Sequence, residues 1–334
     1  MNYGLPYKGS KNRIAKKILD ILPDAPVLYD VFCGGCAITH AAMLSGKYSR
    51  VVANDINGMI PHAFETALAG GFRNEDRWIS RDDFQKLYKT DPYVAICFSF
   101  GNNLHEYCYA RELEPYKRAL HYAIFWKDTG PWRELCPETA DALKAAIESE
   151  QDRHKRRIGA GRAIVKELKA GLMNGTIDPA VMDKPIYKKI RGKYPRGYLQ
   201  SGWIAERKQS LETLQNDESF CRLQSLERIT DVDVPPVLTV TTGDYRALNF
   251  DRPRIIYCDP PYKSTEERYG REFDFAGFYA WCLHQANPVY ISEYSMPEDR
   301  FVPVAAFTVT RKMDTKKSSI CHEKIWRPRC QLDI

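Results

Sequence analysis

Residues 254–262 read Arg254-Ile255-Ile256-Tyr257-Cys258-Asp259-Pro260-Pro261-Tyr262. The first five form an apolar, β-branched run, which predicts a buried strand. Two prolines then end it, because they lack the N–H donors a ladder needs. They hold the backbone rigid just beyond a strand's carboxyl end, where open α/β sheets bind ligands. The Asp259 carboxylate and the Pro260 carbonyl can both accept hydrogen bonds from an amino group. The Tyr262 ring offers a stacking face for a planar base. A Pro-Pro turn capped by an Asp has the same residues, so the stretch needs support from elsewhere in the chain.

Working toward the N-terminus, Val27–Phe32 is a second apolar run, ending at Gly34-Gly35. A helix is expected over Ala37–Leu44, stopped by Gly46. Arg50–Ala53 is a further strand ending at Asn54-Asp55, and Met59–Ala69 a further helix. Strand, helix, strand, helix is the opening of an open α/β sheet with right-handed crossovers. Glycine after the first strand allows close backbone approach to a ligand. A carboxylate about twenty residues on, here Asp55, suits the ribose hydroxyls of a nucleoside cofactor. The full G-x-G-x-x-G fingerprint is absent, which argues against NAD. Upstream, Pro6-Tyr7-Lys8-Gly9-Ser10-Lys11 leads into an amphipathic helix over Ile14–Leu22. Lys11 can meet a carboxylate there, and Tyr7 can pack on a ring.

Toward the C-terminus, Val237–Thr242 and Pro288–Ser292 read as strands and Phe275–Gln285 as a helix. Val304–Arg311 and Lys324–Trp326 suit a closing antiparallel pair. The middle is different: Glu138–Ala170 reads as helical, interrupted near Gly159-Ala160-Gly161, and Lys184–Gly202 as an exposed loop rich in Tyr, Lys, Pro and Gly. The 334 residues suit two domains, or one domain with a large insertion. Residues 151–210 hold fifteen Lys/Arg and five Asp/Glu, a net of 15 − 5 = +10. The whole chain carries +6, so the remainder sums to −4. That asymmetry points to a polyanion-binding region on a near-neutral body. A solvated helical face has the same charge pattern.

Charged residues at 28% and apolar ones at 44% exclude a disordered or collagen-like chain. No apolar run approaches the ~18 residues of a membrane span, and the N-terminus has no secretory h-region. A cytoplasmic protein with no membrane partner is expected. Ten scattered cysteines then suit reduced thiols. Cys33 and Cys36 have a zinc or redox spacing, but no second pair stands at a matching distance, so no metal is expected.

Taken in order, these segments resemble the Dam-like, α-group, D12-class family of DNA N6-adenine methyltransferases. An N-terminal lysine motif, F-x-G, a target-recognition insertion and D-P-P-Y follow one another there. Here they stand at Pro6–Lys11, Phe32–Gly34, the basic middle and Asp259–Tyr262. Ala53-Asn54-Asp55-Ile56-Asn57 resembles the family's acidic motif, and Gly243-Asp244-Tyr245 the acid–aromatic pair that addresses the cofactor adenine. The chain departs from the pattern at Cys36, where the family usually has the last glycine of F-x-G-x-G. It departs again at Tyr7, where the usual aromatic is Trp, and at Ser10, where the usual residue is Gly.

The resemblance implies a Rossmann-like S-adenosylmethionine-dependent methyltransferase sheet with a mostly helical, basic target-recognition insertion. The discontinuous catalytic domain is expected at 1–74 and 236–334, and the insertion at 75–235. The implied function is site-specific methylation of adenine N6 in double-stranded DNA, as in restriction-modification, on a flipped-out base. S-adenosylmethionine is the implied cofactor, and no obligate protein partner is implied. Asp259, Pro260 and Tyr262 are then the catalytic candidates. Tyr7, Lys11, Phe32, Gly34, Asp55, Asp244 and Asp259 are the cofactor-binding candidates, and Arg191, Lys193 and Arg196 the DNA-binding ones. An N4-cytosine methyltransferase is the near alternative, with Asp rather than Ser at 259 favouring adenine. An RNA methyltransferase and a catalytically silent DNA-binding protein are the others.

Overall fold

The computed structural model describes residues 3–191, 226, 237–250, 253–262, 273–314 and 317–332, with 189–191, 309–314 and 317–321 described by backbone alone. The chain divides into two compact units, Met1–Arg73 with Ser225–Ile334, and Asn74–Gln224.

The first unit is built on a seven-stranded sheet. Its strands are β1 (Val27–Asp30), β2 (Arg50–Asp55), β3 (Val237–Thr242), β4 (Arg254–Cys258), β5 (Val289–Glu293), β6 (Phe301–Asp314) and β7 (Lys317–Pro328). They lie in the order β3-β2-β1-β4-β5-β7-β6. The first five are mutually parallel, and β7 pairs antiparallel with both β5 and β6. This is the mixed sheet of an α/β methyltransferase fold. The order doubles back between β1 and β4, and such a switch point opens a crevice beyond the strands' carboxyl ends.

Helices α1 (Ala15–Ile21), α2 (Ala37–Ser45) and α3 (Met59–Leu68) belong to the sheet's first half. α2 stops where the sequence reading put it, at Gly46 with φ 73°. Alternate residues of the strands, among them Tyr29, Val52, Ile256, Val289 and Ile291, form one core with Phe278 and Cys282 of a later helix, Phe275–His284. The intervening Asp30 faces α2 and accepts from the Thr39 backbone N–H at 3.0 Å and its hydroxyl at 2.7 Å.

The second unit is helical. It contains α4 (Arg81–Leu87), α5 (Pro92–Phe98), α6 (Glu114–Trp126), α7 (Gly130–Leu135), α8 (Ala140–Glu148), α9 (Arg153–Asn174) and α10 (Pro185–Arg191). Trp132, Leu143, Ile147, Ile164, Leu168 and Tyr187 form its core.

Two expectations are corrected here. The helix break is not at Gly159-Ala160-Gly161, because α9 runs through those residues. The interruption lies between α8 and α9, where Asp152 caps the new helix by accepting from Lys155 N–H. An interior glycine weakens a helix by only about 1 kcal/mol. Burial of Ala160, Ile164, Val165 and Leu168 along one face outweighs that. Nor is the whole of 184–202 a loop. Pro185 opens α10, a position that needs no N–H, and Ile186 and Tyr187 are buried. The Tyr187 hydroxyl meets Thr139 Oγ1 at 2.9 Å, and Lys184 Nζ donates to Glu138. The rest of that stretch, with Lys193 and Arg196, lies outside the described residues.

Candidate active site

The carboxyl ends of β2, β1 and β4 stand side by side, with β1 in the centre. The β1–β2 ladder continues past Asp30, since Cys33 N–H donates to Asn54 C=O at 2.9 Å. That register sets the glycine turn beside the end of β2. Gly34 N–H donates to Asp55 Oδ2 at 2.9 Å, and Asn57 N–H to Asp55 Oδ1 at 2.8 Å. Burial pushes the Asp55 carboxyl up, and the two backbone bonds oppose it. Ile56 next to it is exposed to 67%, a large apolar side chain at the mouth of the turn.

Tyr7 closes over the turn. A methyl group on Gly35 would stand 2.5 Å from Tyr7 Cβ, so glycine is required there. Gly34 has φ 45° and lies under the same ring. Cys36 is left-handed too, at φ 58° and ψ 31°. This is the position where the resembling family carries glycine, so the loop keeps a glycine-type conformation with a side chain in it. Cys36 Sγ sits 3.7 Å from Cys33 Sγ, and both thiols are pushed up by burial. Among the described residues no group of three or more His, Cys, Asp or Glu could hold a metal ion.

At the end of β4, Asp259 meets Lys11, 248 residues away in sequence. Lys11 Nζ donates to Asp259 Oδ1 at 2.7 Å and Oδ2 at 2.6 Å. It also lies 3.4 Å from Glu323 Oε1 and 4.7 Å from the centre of the Tyr262 ring. The Tyr262 hydroxyl donates to Glu323 Oε1 at 2.7 Å, and its ring meets Tyr294 edge-on at 4.6 Å. The result is one buried ammonium between the buried Glu323 carboxylate and the half-buried Asp259 carboxylate. Burial alone would lower the Lys11 pKa, but Asp259 and Glu323 outweigh it and hold the group above its ordinary value. Burial pushes Asp259 up to about 6 against the pull of Lys11, with Glu323 adding to the rise.

The other candidates fall differently. Phe32 turns into the core, against Tyr245 at 5.2 Å, Phe278 at 5.7 Å and Phe273 at 5.9 Å. Asp244 caps a short 3-10 turn and is forked by Arg246, with bonds of 2.9 Å and 2.7 Å. Those bonds hold the Asp244 carboxyl below its ordinary range. Its neighbour Tyr245 is buried, and the hydroxyl has no hydrogen-bond partner among the described residues. Arg191 ends α10, in the second unit, and only its backbone is described.

Sequence reasoning missed Glu323, Asp30 and Asn54. Glu323 had a signal: it stands two residues before buried Ile325 in a strand, a carboxylate at an inward position. Among the described residues the Asp30 carboxylate bonds only to Thr39 of α2, and burial pushes it up to about 7 against those bonds. Asn54 ties the crevice together by donating to Val31 C=O at 3.0 Å and Gly243 C=O at 3.2 Å.

Residues 7–95 match the model of a protein family described as D12 class N6 adenine-specific DNA methyltransferase. The stretch includes Tyr7, Lys11, Phe32, Gly34 and Asp55, whereas Asp244, Asp259 and Tyr262 lie beyond it. No curated protein matches the chain. Over those residues the chain is similar to adenine-specific DNA methyltransferases, and that likeness supports DNA adenine methylation as its activity.

Proposed function

We propose that this enzyme uses S-adenosylmethionine to methylate the N6 amine of an adenine flipped out of double-stranded DNA. The observation that carries the reading is the Lys11–Asp259 contact. It joins the family's first and last motifs in space, at the sheet's switch point, next to the Gly34–Asp55 turn.

The crevice fits the cofactor in its donor set. Each Asp55 oxygen accepts one backbone N–H and keeps acceptor capacity for a ribose hydroxyl. The Tyr245 hydroxyl is a buried polar atom with nothing to satisfy it among the described residues. Ile56 supplies an exposed apolar surface beside Asp55. Asp55, Tyr7, Gly34 and Tyr245 are therefore the residues that would hold S-adenosylmethionine. When bound, it supplies the sulfonium methyl group.

The chain's own part is to prepare the amine. An adenine amine is a poor nucleophile because its lone pair is delocalised into the ring. Asp259 accepts one of its N–H groups and the Pro260 carbonyl the other, which favours a pyramidal nitrogen with a localised lone pair. Lys11 keeps the Asp259 carboxylate ionised and fixes its direction, so little reorganisation is left for the transition state. A carboxyl pushed up to about 6 can also hold the proton that the amine gives up. Tyr262, fixed by Glu323 and Tyr294, provides the stacking surface. Reaching the site requires the base to leave the duplex, at a cost of a few kcal/mol.

Asp259→Ala tests this. Turnover on duplex DNA should be lost while S-adenosylmethionine binding stays close to wild type and the chain remains folded, with the melting temperature lowered by the loss of the Lys11 pair. Near-wild-type turnover would sink the assignment of Asp259. Label transferred by the wild-type chain to cytosine N4 or to RNA would overturn the adenine-in-DNA reading itself.

A further inference from the structure

The α9 helix carries a feature that the methyl-transfer chemistry does not use. Lys155, Arg162, Lys166 and Lys169 fall at i, i+7, i+11 and i+14, on one stripe of the helix. Lys155, Arg162 and Lys166 are exposed and Lys169 half-exposed. None of the four side chains makes an ion pair or hydrogen bond among the described residues. Other cations of this unit do pair: Arg77 with Glu75 and Asp91, Arg81 with Glu114, Arg133 with Asp141, and Lys184 with Glu138. The basic residues adjacent to the stripe are also engaged, since Arg156 is buried and donates to the carbonyls of Ile124 and Gln151. On the stripe itself, Arg162 and Lys166 stand at i,i+4 and Lys166 and Lys169 at i,i+3. Like charges at those spacings repel one another and weaken the helix.

Gly159 lies on the same stripe, between Lys155 and Arg162. A methyl group added there would meet nothing within 4 Å. Packing does not require this glycine, in contrast to Gly171, where the methyl would run into the Ile177 side chain. Glycine in a helix interior is less stable than alanine. The stripe thus combines unpaired cations, self-repulsion and an unneeded glycine, each unfavourable to the isolated helix. All three become favourable against a close-lying polyanion: the cations gain partners, the repulsion is neutralised, and the missing Cβ admits a backbone.

We propose that the Lys155–Gly159–Arg162–Lys166–Lys169 stripe of α9 is a docking face for the phosphate backbone of duplex DNA. This rests on the DNA-methyltransferase reading above and assigns the contact to residues other than Arg191, Lys193 and Arg196. The four cations span 14 residues, about 21 Å along the helix, the axial rise of about six base pairs. Contacts of this kind hold the protein on DNA without reading sequence.

The test uses the full chain with every stripe cation changed to glutamine, Lys155→Gln, Arg162→Gln, Lys166→Gln and Lys169→Gln together. Duplex affinity is measured from 50 to 200 mM salt on cognate and scrambled DNA. The slope of log K against log salt should flatten by about 3.6, from about 0.9 per contact over four contacts. Affinity should fall alike on both sequences, and S-adenosylmethionine affinity should not change. The second variant is Gly159→Ala. It should raise the melting temperature by about 2–4 °C and at the same time weaken DNA binding several-fold. Wild-type slope and affinity in the quadruple variant would overturn the proposal and leave a solvated face, with DNA methylation standing. Tighter binding of the wild type to RNA duplex than to DNA would also overturn it. A wild-type chain that binds no DNA would remove the proposal and the methyltransferase reading together.

Discussion

Lys11→Met replaces the ammonium between Asp259 and Glu323 with an apolar side chain of similar length. The buried Glu323 and half-buried Asp259 carboxylates then stand near each other with no cation between them. Removing one partner of a buried ion pair typically costs about 3–5 kcal/mol, a large share of the roughly 5–15 kcal/mol that holds a domain folded. The loss should depend on pH in a defined direction. With Lys11 gone, burial and mutual repulsion raise one carboxyl further above its unfolded value near 3.9. The folded state then binds more protons than the unfolded state, so stability falls as pH rises through that window. Going from pH 7.5 to 5.5, protonation of that carboxyl should return up to about 2.7 kcal/mol, at ~1.36 per pH unit. Urea unfolding of wild type and variant at the two pH values gives the comparison. Methyl transfer should be lost at both, because Asp259 no longer has a fixed direction. A variant as stable as wild type at pH 7.5, or one whose deficit grows on acidification, would refute this account of the cluster.

Other outcomes follow from the same geometry. Asp55→Ala removes a charge-assisted bond worth ~1.5–3 kcal/mol and should weaken S-adenosylmethionine binding about ten- to a hundred-fold, with little effect on DNA affinity. An unchanged dissociation constant in calorimetric titration would reduce Asp55 to a support for the Gly34 turn. Asp30→Asn keeps an acceptor for the two Thr39 donors but cannot ionise. The wild-type carboxyl is raised to about 7, so it contributes a loss of stability as pH climbs from about 4 to 7. The variant should lack that decline in urea unfolding. Cys33→Ser with Cys36→Ala should keep methyl-transfer activity, since the proposed chemistry needs no thiol, and elemental analysis of the wild type should find no stoichiometric zinc.

The sequence by itself determined the sheet's element order and the turn at its centre, because those signals are local. Apolar runs ending at glycine or at Pro-Pro mark the strands β1 and β4 directly. The rigid Asp259-Pro260-Pro261-Tyr262 turn after β4, the glycine turn after β1 and Asp55 at the end of β2 were legible for the same reason, being set by neighbours in the chain, whereas the bond from Gly34 to Asp55 came from strand register. Tertiary structure decided what meets across long sequence separations. Sheet order brings Lys11 to Asp259 and seats Glu323 of β7 under Tyr262, and no pattern within any one segment encodes that meeting. Burial decided the helical unit as well. Core packing carries α9 through two glycines that local propensity reads as a break. The same fold turns Arg156 inward and leaves Lys155, Arg162 and Lys166 outside, because a helix has a buried and an exposed side only once its neighbours are in place.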